Sequence, residues 1–146
     1  MGFWVLTSDL IRPYPVKKWF VMNYSDLTEK IIGCAYRVYN NMGAGFLESV
    51  YEKCLAIELE TVGLQADFQT PIAVYYADQQ VGSFVADIIV SGCVIVELKA
   101  VRTLNLAHEV QLVNYLAATK IPVGLLINFG ESKVEIKRRV LDLNRG

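Results

Sequence analysis

The chain has 146 residues, a formal net charge of −1 and 53% hydrophobic residues, which suits one domain with a sizeable buried core. Its mean hydropathy of +0.33 is high, yet no apolar run approaches the length that spans a bilayer. The near-neutral charge excludes an overall basic field, so any nucleic-acid contact must rest on local positive charge.

Cys34, Cys54 and Cys93 are odd in number and form no Cys-x-x-Cys pair. That argues against a disulfide framework and a structural zinc site, and fits a reduced, cytoplasmic setting. The apolar composition leaves room for an interface between copies of the chain, hence a homo-oligomer.

Residues 1–22 show no clear period, and Pro13 and Pro15 interrupt their short apolar run. With no small-residue cleavage site, they do not read as a signal peptide. They read either as a native N-terminal extension or as the product of an upstream start codon, with Met22 shortly before the first helix, and residues 23–146 read as the domain. Ser25 is the expected N-cap of a first helix over residues 26–42, with Asp26 and Glu29 in its first turn and Gly43 ending it. After Gly43-Ala44-Gly45, a second helical pattern runs toward Gly63, with Glu48, Tyr51, Glu52 and Leu55 on one stripe. Strands are expected over residues 72–76, 81–90 and 93–99, a helix over 104–119, and strands over 122–127 and 133–140.

The stretch from Phe84 to Ala100 is nearly all apolar and is broken once, by Ser91-Gly92. It reads as two strands joined by a tight turn. Alternation puts Glu97 and Lys99 on one face and Val96 and Leu98 on the other. Asp87, on the preceding strand, comes across from the Glu97 end. Two carboxylates and an ammonium at the edge of a buried sheet are costly unless paired or bound to a metal. Mg²⁺ takes oxygen ligands, usually one or two carboxylates plus phosphate and water. An ammonium beside them can orient the attacking water and offset charge on phosphoryl oxygens.

Gly45-Phe-Leu-Glu48-Ser-Val-Tyr51, Asp87 with Glu97-Leu-Lys99, and Gln111-Leu-Val-Asn-Tyr115 together resemble the PD-(D/E)XK nuclease superfamily and, more narrowly, the GxxExxY proteins. The resemblance covers residues 24–140. It implies an α/β, restriction-endonuclease-like core in which a mixed central sheet is flanked by helices. It also implies a Mg²⁺-dependent nuclease, with Mn²⁺ as the alternative ion, acting on nucleic acid, DNA ahead of RNA. By the same resemblance Asp87 and Glu97 hold the metal with help from Glu48, Lys99 positions the water, and Gln111 and Tyr115 border the substrate. Ala86 stands where the signature has proline.

The rival reading is a non-catalytic nucleic-acid-binding or protein-interaction module that keeps the nuclease fold. The intact acidic set and lysine count against it. Tyr51 is expected as a buried structural aromatic, Glu52 as a solvated helix-face carboxylate, and His108 as a helix-face residue. Lys133, Lys137, Arg138 and Arg139, with Arg102 and Lys120, form the densest positive cluster. Alternation sends Lys137 and Arg139 to one face and Arg138 to the other.

Overall fold

The structure is a computed structural model that describes residues 24–142. The N-terminal extension expected over residues 1–22 lies outside the described residues. The elements are α1 (Ser25–Met42), α2 (Glu48–Thr61), β1 (Ala66–Tyr76), β2 (Gln79–Val90), β3 (Val94–Lys99), α3 (Leu106–Thr119), β4 (Val123–Phe129) and β5 (Val134–Val140). The five strands form one sheet in the order β1-β2-β3-β4-β5. Among the described strands only β3 and β4 run parallel, joined by the crossover through α3; the other neighbours are antiparallel. Among the described residues no helix is long and apolar enough to cross a membrane.

Strand alternation divides the apolar residues between two cores. Val94, Val96 and Leu98 of β3 join Leu125 and Ile127 of β4 beneath α1 and α2, with Ile31, Cys34, Leu55 and Leu59 from the helices. Ile95 and Leu126 point the other way, onto Leu112 and Leu116 of α3. Each central strand is thus buried on both faces, which is why β3 and β4 read as unbroken apolar runs rather than alternating ones. Gly124 lets α3 come close, since a Cβ there would lie 2.7 Å from Leu112 Cδ1.

Three local details depart from the sequence expectations. The helix α1 begins at Ser25 itself, with Tyr24 in the cap position and no side-chain cap bond; Thr28 Oγ1 donates to the Ser25 carbonyl. Strand β1 starts at Ala66, six residues before the expected start, and runs through Pro71. It can do so because β1 is an outer strand, where a missing N–H need not break a ladder. Finally, α3 starts at Leu106 with Asn105 as its cap.

Candidate active site

The β2–β3 ladder pairs Val90 with Val94, Ile89 with Ile95 and Ile88 with Val96, and stops there. The next residues, Asp87 and Glu97, bond through their side chains instead. The Asp87 N–H donates to Glu97 Oε1 at 3.1 Å, and the Leu98 N–H donates to Asp87 Oδ2 at 2.8 Å. Each carboxylate therefore satisfies a backbone donor that the separating strands leave open.

Alternation also breaks at this point. Ala86 belongs to the core under α3, whereas Ile88, two residues on, belongs to the core under α1 and α2. Asp87 lines a cleft of about 270 Å³ with Glu48, Ser49 and Glu52 of α2, Gln69 of β1 and Leu98. Facing it across the strands is Gln69, whose Nε2 donates to Glu52 Oε1 at 2.7 Å and to Asp87 Oδ1 at 3.4 Å.

Glu97 is the only buried acidic residue of the described chain, at 7% exposure. Burial pushes its carboxyl up to about 8, and the neighbouring Asp87 charge pushes the same way, while the Asp87 N–H and the Lys99 charge oppose them. Lys99 is half-buried at the end of β3. The chain beyond it is fixed by Asn128, fully buried on β4, which exchanges two hydrogen bonds with the Val101 backbone and donates a third to Glu135.

The turn before α2 gives Gly45, Tyr51 and Glu48 distinct local roles. Gly45 has a φ of +100°, in the left-handed region where a Cβ is strained. The fully buried Tyr51 hydroxyl donates to the Gly43 carbonyl at 2.6 Å and accepts the Phe46 N–H at 3.3 Å. Its ring stacks on Phe129 with centroids 4.3 Å apart. This clamp sets where α2 begins, and its first residue is Glu48. Negative charge in a first helical turn is favoured by the helix dipole.

On α3, Gln111 is exposed and Tyr115 is half-buried. The Tyr115 ring stacks on Phe84 with centroids 3.5 Å apart and an interplanar angle of 7°. Burial raises its phenol above the ordinary range, and the charges of Glu97 and Asp87 add to the effect. The tyrosine therefore stands within electrostatic reach of both carboxylates.

The structure thus brings Asp87, Glu97 and the Leu98 backbone into direct contact and sets Glu48 in the cleft that Asp87 and Leu98 line, while the Lys99 charge acts on Glu97 and the charges of Glu97 and Asp87 act on Tyr115. No hydrogen bond ties Gln111 to them. Glu52, expected as a solvated helix-face carboxylate, is half-buried and linked to Asp87 through Gln69. Gln69 had no sequence signal beyond its place before Pro71. His108 has a structural role: its backbone N–H donates to Asn105 Oδ1, and its Nδ1 accepts the Asn105 N–H, closing a capping box on α3. Within the basic cluster, Arg139 pairs with Glu109 of α3 and Arg102 with Glu131, which leaves less charge for a ligand than the sequence suggests.

The donor set is all oxygen, suited to a hard cation. Among the described residues no group of three or more His, Cys, Asp or Glu side chains gathers closely enough to hold an ion. Asp87 and Glu97 nevertheless supply the one or two carboxylates that Mg²⁺ commonly takes from protein. The Glu97 carboxyl is raised by its burial and by the Asp87 charge, which the Lys99 charge only partly offsets.

A family model described as the PD-(D/E)XK nuclease superfamily matches residues 25–139. No curated protein matches the sequence. Among solved structures, one titled "Crystal structure of SSO0001" aligns over 98% of this chain and 78% of its own, with a TM-score of 0.52 and 16% identity. That likeness bears on the fold alone. The family match runs from the start of α1 into β5 and takes in the mixed sheet with the split at Asp87 and Glu97, so the chain belongs to the PD-(D/E)XK nuclease superfamily and has its restriction-endonuclease-like α/β fold.

Proposed function

We propose that the chain is a divalent-metal-dependent nuclease that hydrolyses phosphodiester bonds of nucleic acid, DNA in preference to RNA. The observation that carries this reading is the split between β2 and β3. There two carboxylates hold each other's strand through backbone N–H groups, with an ammonium two residues beyond. Membership of a nuclease superfamily supports the reaction class.

Asp87 and Glu97 would hold the ion, Mg²⁺ or Mn²⁺, with Glu48 assisting from the start of α2. Bound there, it would supply Lewis-acid polarisation of the scissile phosphate. Lys99 orients the attacking water and offsets negative charge that builds on the phosphoryl oxygens. Gln111 and Tyr115 border the strand on the α3 side. Beyond Lys99, a groove of about 470 Å³ lined by Phe46, Leu47, Ala100, Arg102 and Phe129 continues the path a strand could take. The Gly45, Glu48 and Tyr51 turn supports placing the chain in the GxxExxY branch.

The test is cleavage of single- and double-stranded DNA and RNA by wild type, Asp87→Asn and Lys99→Ala, each in Mg²⁺ and in Mn²⁺. Cleavage that vanishes in both folded variants sustains the assignment and names the substrate. A folded Lys99→Ala protein that is fully active overturns it.

A further inference from the structure

Gln69 combines three features that packing does not explain. Its φ is +50°, in the left-handed region, although it carries a Cβ and sits inside β1 rather than in a turn. Such a backbone is costly and persists where the surroundings over-determine it, often at functional sites. Its side chain is exposed, so apolar burial does not offset the strain. It also occupies the one place within the regular part of the β1–β2 ladder where a pair is skipped: Phe68 pairs with Ile88 and Thr70 with Ala86, leaving Gln69 across from Asp87.

The strained backbone delivers the carboxamide to the cleft. One Nε2 serves Glu52 Oε1 at 2.7 Å and Asp87 Oδ1 at 3.4 Å. The other Asp87 oxygen takes the Leu98 N–H at 2.8 Å. Both oxygens are thus held, one from β3 and one from β1. A carboxamide suits this place because its two N–H groups can serve two carboxylates at once while carrying no charge.

We propose that Gln69 is a positioning residue: anchored to Glu52 on α2, its carboxamide holds the Asp87 carboxylate aimed into the cleft. This rests on the nuclease reading above. Glu52 is then the anchor of Gln69, so its role needs an acceptor oxygen and not a charge.

The experiment compares wild type with Gln69→Gly, Glu52→Ala and Glu52→Gln. Three quantities are read: the thermal midpoint without divalent ions, the ¹³C resonance of the Asp87 carboxyl, and kcat and KM in Mn²⁺ on a substrate that wild type cleaves. Glycine accepts a positive φ, so Gln69→Gly is expected to keep or raise the midpoint while the Asp87 resonance moves. Its kcat, and that of Glu52→Ala, is expected to fall roughly tenfold or more, with KM within about threefold. Glu52→Gln keeps an oxygen for Gln69 and is expected to stay within about threefold of wild type, with the Asp87 resonance in place.

An unmoved Asp87 resonance in Gln69→Gly overturns the proposal, whether activity persists or falls together with the thermal midpoint. Glu52→Gln as impaired as Glu52→Ala overturns the anchoring role of Glu52. Wild type that cleaves nothing defeats the nuclease reading, and the resonance and midpoint then still decide whether Gln69 holds Asp87.

Discussion

Replacing Glu97 with glutamine removes a carboxyl whose proton is coupled to folding. In the folded chain this carboxyl is raised from 4.5 to about 8, chiefly by burial and secondly by Asp87. Between those values the folded protein retains a proton that the unfolded chain has released. The stabilisation from this group is therefore fully present below the unfolded value and is lost as pH rises to and through the folded one. A gap of roughly 3.5 pK units, at about 1.4 kcal/mol per unit, corresponds to about 5 kcal/mol. That is a large part of the roughly 5–15 kcal/mol that holds a typical domain together.

The assay is urea denaturation of wild type and Glu97→Gln in chelator, from about pH 5 to about pH 9, reading the difference in unfolding free energy. Glutamine keeps an oxygen for the Asp87 N–H, so the difference isolates the ionisation. Wild type is expected to lose about 1 kcal/mol per pH unit relative to the variant across the window. Added Mn²⁺ is expected to flatten that slope, because a cation favours the ionised carboxyl and stabilises the folded state by mass action. Stability curves that run parallel from about pH 5 to about pH 8 would refute the reasoning, since no desolvated carboxyl could then be present.

Tyr51→Phe should leave the Gly43 carbonyl and Phe46 N–H without their partner and destabilise by about 1–3 kcal/mol in urea; no change would mean the turn does not depend on that hydroxyl. Gly124→Ala should cost about 1–3 kcal/mol by pressing on Leu112, and shortening that side chain in Leu112→Val should recover part of the loss. Strictly additive effects of those two substitutions would deny the contact. Asn105→Ala should lower stability by about 1 kcal/mol through the lost α3 cap, and His108→Ala should do less, because it removes only the weaker half of the capping box. The reverse order, read by thermal unfolding, would reassign the cap.

Element order and type follow from local pattern, and the sequence carries them openly. The 3.6 period of Ile31, Ala35 and Val38 marks α1, and the β-branched runs of β3 and β4 mark strands buried on both sides. Alternation alone also separates Arg139 from Arg138 and puts Glu97 on the face opposite Val96 and Leu98, whereas the pairing of Arg139 with Glu109 of α3 comes from the fold.

The direction of Asp87 belongs to the tertiary structure. It goes with a break in alternation beside which Gln69, 18 residues away, has a left-handed backbone, and with hydrogen bonds from Gln69 to Asp87 and to Glu52 of α2, 17 residues from Gln69. The clamp of Tyr51 on the turn before α2 is decided the same way, since its ring needs Phe129 from β4. Periodicity reports the face a residue takes while its strand stays regular. Where the ladder opens, the side chain goes to whichever backbone donors and carboxylates the folded chain has brought beside it, and those neighbours are set by pairings between distant segments that no local pattern encodes.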